Sequence, residues 1–475
     1  METEMKLDKW GYQVRTCSDS CISAINSYYH QVLSYGRKRS VIMEAPKSDP
    51  ECVLGNILAA HFLCSTGSSR VPLLIDTAKS FLEYASSYEK AVFECVMYLI
   101  SPDRDDDLAV DLHSKLLREF PRDLVSLKRA QVLCFYMGRA DLSLKLVEQV
   151  LPMNSHEDYI YGMLAFPLLE LGRMEEAEKA GKTGYEINEN DTWSQHAICH
   201  VYQHECRFKE AVEFMNNCSR SWSSLSSFMY THNWWHVALC YLEGHAPMEK
   251  VREIYDECIW KELERSDAIP PEVYLNAIGL LLRVYIRGGH DIFGDRLKKL
   301  ADCLTDQTVW FLEWHLDILI LWALSHTGEL NKAEDLLNGL KSRVSIMTKK
   351  KQQIMQKGLI MQKGLSLAEA LHKYGKGDYT EALELLGHDF DAINYKIIGA
   401  SDEQLDVFTE VHISLLLSTG KAHIATQAIE KQLKEREGAP FLWFLTEKAY
   451  SILGKDAEAA SYGEKARKLE ATHFT

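Results

Sequence analysis

LELGRMEEAEKAGKTGYEINEND, running from Leu169 to Asp191, contains one complete joint between two helices. A first helix ends at Gly172, since glycine just past an apolar-periodic run is a helix stop. The second begins at once, with Ala177 where paired helices must approach closely, and a polar turn closes it at Asp191. SILGKDAEAASYGEKARKLE repeats this grammar around Gly454, with Ala457, Ala459 and Ala460. Working outward, similar turns fall at Arg104, Gly138, Gly172 and Cys206, each 34 residues after the last. Later ones fall at Gly244, Gly288, Gly328, Gly377, Gly420 and Gly454, spaced 38, 44, 40, 49, 43 and 34 residues. A 34-residue helix–turn–helix period is the tetratricopeptide signature. The expected fold is all-α, a tetratricopeptide-like α-solenoid of stacked antiparallel helix pairs. No segment alternates with period two, so strands are not expected.

The expected organisation has three parts: an N-terminal helical cap (1–70), a repeat array with a central His/Trp groove (71–345), and C-terminal helical repeats (346–475). In the cap, Ser18 or Asp19 starts a helix whose apolar stripe is Ile22, Ile25, Tyr28, Tyr29, Val32 and Leu33. A second helix follows over Glu51 to Cys64, and a third begins near Pro72. Pro121 falls after a second helix, and Pro167 lies inside a first one. IMQKGL occurs twice in tandem, at Ile354–Leu359 and Ile360–Leu365, and reads as an extended helix or a hinge before the C-terminal repeats.

Of the 475 residues, 46% are apolar, enough for a large core, and the formal charge of −15 argues against a general nucleic-acid binder. Arg37–Arg39 and Lys349–Lys351 are short basic runs that read as solvated surface. Twelve scattered cysteines without a C-x-x-C pair read as reduced thiols of a cytoplasmic protein. The polar start excludes a signal peptide, and the most apolar run, Leu316–Leu324, is too short to span a bilayer. No membrane insertion and no nucleic-acid partner are expected.

Functional residues of a helical array lie on first helices, on the face that lines the groove. Counting back from the turns, His200 and His196 lie 6 and 10 residues before Cys206, and His236 and His232 lie 8 and 12 before Gly244. Residues i and i+4 share a helix face, so two neighbouring helices can bring four imidazoles together. Asn276, Arg283, His315, Asp317 and Tyr161 fall at comparable depths, and eight of the ten tryptophans lie between Trp193 and Trp322. Aromatic walls with a few convergent polar groups describe a small-molecule site. The expected ligand-binding set is Trp193, His196, His200, His232, Trp235, His236, Tyr161, Asn276, Arg283 and His315.

Three readings of the histidines stay open. They form an interior hydrogen-bond ladder; or they hold a divalent metal, with Glu205, Glu313 or Asp317 fixing tautomers; or they do acid/base chemistry, with Glu313 or Asp317 as catalytic partners. Ala197 and Asn233 stand where the zincin motif needs Glu, and no nucleophile motif occurs, so no cofactor and no reaction are assigned from these residues alone.

W-x-x-H-x-x-x-H (Trp193, His196, His200) and H-x-x-W-H-x-A-L (His232, Trp235, His236, Ala238, Leu239) resemble the tetratricopeptide repeat protein 38 family. The N-terminal block up to STGSS and IGASDEQLDVF, with Gln404, Asp406 and Phe408, resemble it too. The resemblance implies a soluble helical-repeat protein without a settled reaction; the groove residues themselves point to a protein, peptide or small-molecule ligand. Relatives carry Glu near position 203, Asp near 276, Arg near 283 and a D-x-H pair later. Gln203, Asn276, Arg283 and Glu313-Trp314-His315 stand there in this chain, so two carboxylates have become amides, a change that weakens a metal site.

Overall fold

The computed structural model describes residues 4–350 and 355–474. The chain divides into two compact units, one of Met1–Ala197 with Ser224–Ser226, the other of Ile198–Ser223 with Ser227–Thr475. The boundary falls inside one unbroken helix, Thr192–His204.

The first unit opens on an element the sequence does not announce. Strands β1 (Met5–Leu7) and β2 (Gln13–Arg15) pair antiparallel, corrected from an expectation of no strands. Three residues are too few for an alternating pattern to register. The hairpin is held from below: Trp10 stacks on Tyr29 at 4.0 Å, and the buried Glu89 accepts the Arg15 N–H at 2.9 Å. The expected cap helices are present as Asp19–Leu33, with Ser18 accepting the Cys21 N–H, Val53–Cys64, and Arg70–Phe81. Helix pairs continue through Asp106–Glu119 and Leu124–Tyr136, then Ala140–Asn154 and Ile160–Glu170, to Met174–Ile187.

The interhelical turns obey one rule. Gly138, Gly172, Cys206, His245, Gly288, Gly328, Gly377, Gly420 and Gly454 all have positive φ. At each, the next residue donates its N–H five residues back, as in Arg173 to Leu168 (2.9 Å), Arg207 to Tyr202 (2.7 Å) and Lys455 to Tyr450 (3.0 Å). This closure satisfies carbonyls that a helix end leaves open, in the left-handed conformation glycine adopts without strain. Within the 34-residue series an arginine follows, and it pairs with a carboxylate of the next helix's first turn: Arg139 with Asp141 (2.7 Å), Arg173 with Glu176 (2.6 Å) and Arg207 with Glu210 (2.6 Å). One turn is displaced from its expected residue. His245, not Gly244, carries the positive φ, while a Cβ on Gly244 would come within 2.6 Å of the Phe474 ring.

The second unit contributes four of the five helices that hold the histidines and their partners, and the boundary helix supplies the fifth. They are α1 (Thr192–His204), α2 (Ser227–Glu243), α3 (Pro270–Ile286), α4 (Trp314–His326) and α5 (Asp402–Ser418). Later helices include Leu330–Lys350 and Met355–Lys376, so from Met355 onward the duplicated IMQKGL, read as an extended helix or a hinge, is helical, and its first residue, 354, lies outside the described residues. Among the described residues no helix is long and apolar enough to cross a membrane, and no disulfide joins any cysteines.

At Gly172, Gly328 and Gly420 an added Cβ would meet nothing within 4 Å, so alanine there is opposed by backbone conformation alone. Each Gly→Ala substitution is expected to cost about 1–2 kcal/mol, and Gly→Asn distinctly less. Calorimetric melting of the three pairs checks the order; alanine matching wild type would refute the turn assignment.

Candidate functional site

Three of the candidate histidines meet inside the second unit. One ring nitrogen each of His200, His232 and His236 lies within 4.8 Å of the others. The His200 and His236 rings are 4.3 Å apart, those of His232 and His236 4.8 Å. His196 precedes His200 by one turn of α1 and belongs to the first unit. All four are buried, His200 and His236 completely.

Each of the three rings is held at the same atom. His232 Nδ1 lies 2.8 Å from Asn276 Oδ1, and His236 Nδ1 lies 3.0 Å from Gln203 Oε1. His200 Nδ1 is 2.6 Å from Glu403 Oε1. The orientation of Asn276 is fixed by its own surroundings: its amide nitrogen donates to Thr231 Oγ1 (2.8 Å), Glu272 O (3.2 Å) and Phe228 O (3.4 Å). Its oxygen is therefore the atom that faces His232.

Local structure supplies these partners. Pro270 and Pro271 start α3, whose buried face carries Asn276 and Arg283. Ser401 and Gln404 form a capping box at the start of α5, which places Glu403 in the first turn. Arg283, fully buried, donates to Gly279 O at 3.2 Å and to the Glu403 main-chain oxygen, and lies 5.2 Å from the Trp235 ring. Trp235 stacks on His232 at 5.1 Å, and Phe228 packs on the same imidazole at 4.9 Å. A buried ion network ties the far ends together: Arg287 reaches Glu410 at 2.6 Å and Glu243 at 3.2 Å, and Arg436 reaches Glu243 and Asp406.

Burial lowers His232 to about 4 despite its bond to Asn276, so the ring is neutral at physiological pH. Burial also lowers Arg283 to about 10, against the pull of the Glu410 and Asp406 carboxylates. For Glu403 burial acts upward, but the His200 ring beside it outweighs this and holds the carboxyl below its ordinary range. The carboxylate at the cluster is thus ionised.

Other expected residues lie elsewhere. Trp193 and Tyr161 belong to the first unit. Trp193 stacks on His196 at 4.8 Å and packs on Phe166 at 4.6 Å, while the Tyr161 hydroxyl donates to Ser155 O at 3.2 Å. Glu205 pairs with Arg207 at 2.8 Å, and Glu313 is the half-buried residue preceding α4. Asp317 accepts the Phe311 N–H at 2.9 Å, bracing a residue of positive φ. His315 is buried 6.1 Å from the Phe408 ring and is not among the clustered nitrogens. Glu403 is missing from the expected partners, although the S-x-x-Q box (Ser401, Gln404) marks its helix start.

No protein-family model matches the chain. Among solved structures it is similar to the human IFIT1 dimer with m7Gppp-AAAA, at TM-score 0.39 and 15% identity over 96% of this chain and 91% of that one. It is similar also to Naa15/Naa10 bound to HypK-THB (TM-score 0.24, 14% identity, 81% and 64%) and to the P58(IPK) TPR domain (0.22, 13%, 81% and 93%). The chain itself is an all-α, tetratricopeptide-like array of helix pairs.

His315 and Asp317, two residues apart on α4, give opposite responses to pH. Burial lowers His315 from an ordinary 6.5 to about 3, so its contribution to stability is complete above 6.5 and lost on acidification. Burial raises Asp317 from 3.8 to about 7, so its contribution is complete below 3.8 and lost as pH rises. Relative to wild type, D317N is expected to gain stability between pH 4 and 7, and H315Q between pH 6.5 and 4, by at most about 1.4 kcal/mol per pH unit. Melting temperatures across that range test both; curves parallel to wild type would contradict the assignment.

Proposed function

We propose that this chain is a tetratricopeptide-type binding protein whose specific contacts are the buried histidines His200, His232 and His236. The observation that carries the reading is the common restraint on the three rings: each Nδ1 faces an oxygen acceptor from a different part of the chain. Orienting three imidazoles inside a core requires three further polar side chains to be buried with them, which costs stability unless something uses the arrangement. Their burial favours a small ligand over an extended peptide, because a peptide needs an accessible strip of surface. Trp235 and Phe228 form apolar walls beside the rings.

His196 and Trp193 extend the histidine motif along α1, and the two motifs together carry the resemblance to the tetratricopeptide repeat protein 38 family. A second reading, an enzyme using the cluster for acid/base chemistry, draws on the 2.6 Å contact of His200 with an ionised Glu403. An imidazole oriented by a carboxylate is a common general base. In that reading His200 is the base and Glu403 its positioning residue.

The test is native mass spectrometry of untagged chain purified from the cells that make it. A bound species of defined mass is expected in wild type and absent from H200A/H236A. If that pair does not fold, H200Q/H236Q, which keeps polar groups in place, takes over. The reading is lost if wild type carries nothing, or if the folded variant retains the same species.

A further inference from the structure

We propose that the second unit binds one divalent transition-metal ion, of the zinc type, through Nε2 of His200, His232 and His236. The inference rests on the reading of the histidine cluster as a binding site, and names its ligand class.

The tautomers come first. Glu403 is a carboxylate and offers His200 only acceptors. Asn276 directs its amide hydrogens to Thr231, Glu272 and Phe228, which leaves its oxygen for His232. Gln203 presents its oxygen to His236. His232 and His236 are therefore protonated on Nδ1, and the carboxylate beside His200 Nδ1 favours a proton at the same place, so Nε2 is the proposed ligand atom of each ring. Metal-bound histidines have this arrangement, with the second ring N–H donated to a carboxylate or carbonyl that fixes orientation and raises basicity.

Distance agrees. Tetrahedral ligands at roughly 2.0–2.1 Å from an ion stand about 3.4 Å apart, and one ring nitrogen of each of the three histidines already lies within 4.8 Å of the others. Nitrogen donors without oxygen or sulfur select zinc, copper or nickel over calcium or magnesium. Amides at 203 and 276 make weaker orienting acceptors than carboxylates, so they temper the affinity without changing the tautomers.

The experiment uses the full untagged chain, stripped by chelator and dialysed, with Zn(II) alone titrated against a chromophoric competitor. One equivalent is expected to bind, at least a hundredfold more weakly in H200A/H236A and ten- to a hundredfold more weakly in E403Q. Co(II) in place of Zn(II) should give the visible absorption of a four-coordinate site. N276D provides a check that does not depend on removing a ligand: it should bind Zn(II) more tightly than wild type, and its melting temperature should rise further on adding Zn(II). No saturable Zn(II) uptake by wild type, or uptake unchanged in E403Q and N276D, overturns the proposal. Native spectra of the chelator-treated chain separate the two claims. An organic ligand retained without metal leaves the binding reading standing while the metal falls; loss of both removes both.

Discussion

A helix in this chain stops where a residue turns left-handed, and the stacking of the array depends on that backbone event. The closure from Arg173 to the Leu168 carbonyl, and its counterparts elsewhere, ends a helix within a single residue and starts the next two positions later. A helix pair has an apolar face it cannot bury alone, so the pair is stable only against its neighbours. A sharp stop keeps the depth of a residue along one helix comparable with the depth of its counterpart in the next. The stops following α1 and α2 fall at Cys206 and His245, both with positive φ, 6 residues after His200 and 9 after His236, and the two rings meet 4.3 Å apart.

Two of those stops are not glycine, and each has a packing reason. Cys206 lies against Gly438, where a Cβ would come within 2.8 Å of its own. His245 reaches Glu470 at 3.0 Å and packs on Phe444 at 4.6 Å. An L-residue in this conformation is strained by roughly 1–2 kcal/mol, and side-chain contacts to the last repeats oppose that strain. Both residues tie a middle turn to the C-terminal helices, so the turns that carry the histidine helices are also joined to the end of the chain.

The periodic part of this architecture was legible in the sequence because it is local. Gly138, Gly172, Gly288 and Gly454 mark their turns directly, and Ser18 caps its helix as its position suggests. The H-x-x-x-H spacing on α1 and α2 likewise requires only the helical repeat. Partners set by stacking were not legible in the same way. Glu403 contacts His200 across some two hundred residues of sequence, and no local pattern carries that pairing. The α4 helix shows the other limit: apolar on every side, it buries His315 and Asp317 equally, and packing leaves both outside the cluster. Asp317 turns to a loop N–H instead, where Phe311 needs an acceptor.

Gln203 and Asn276 bear most directly on what the interior is for. A carboxylate at either place would orient its imidazole at least as firmly, but with another buried charge alongside Glu403. Buried charges are costly unless paired, and Arg283 already commits its donors to Gly279 and to the Glu403 main chain. Neutral amides keep the Nδ1–H tautomer at His232 and His236 while leaving Glu403 as the one carboxylate that touches the three rings. The same exchange lowers the basicity of two of the three rings. On the proposal that the cluster holds an ion, a site of this composition would bind with restrained strength, which suits a ligand that arrives and leaves better than one built in during folding.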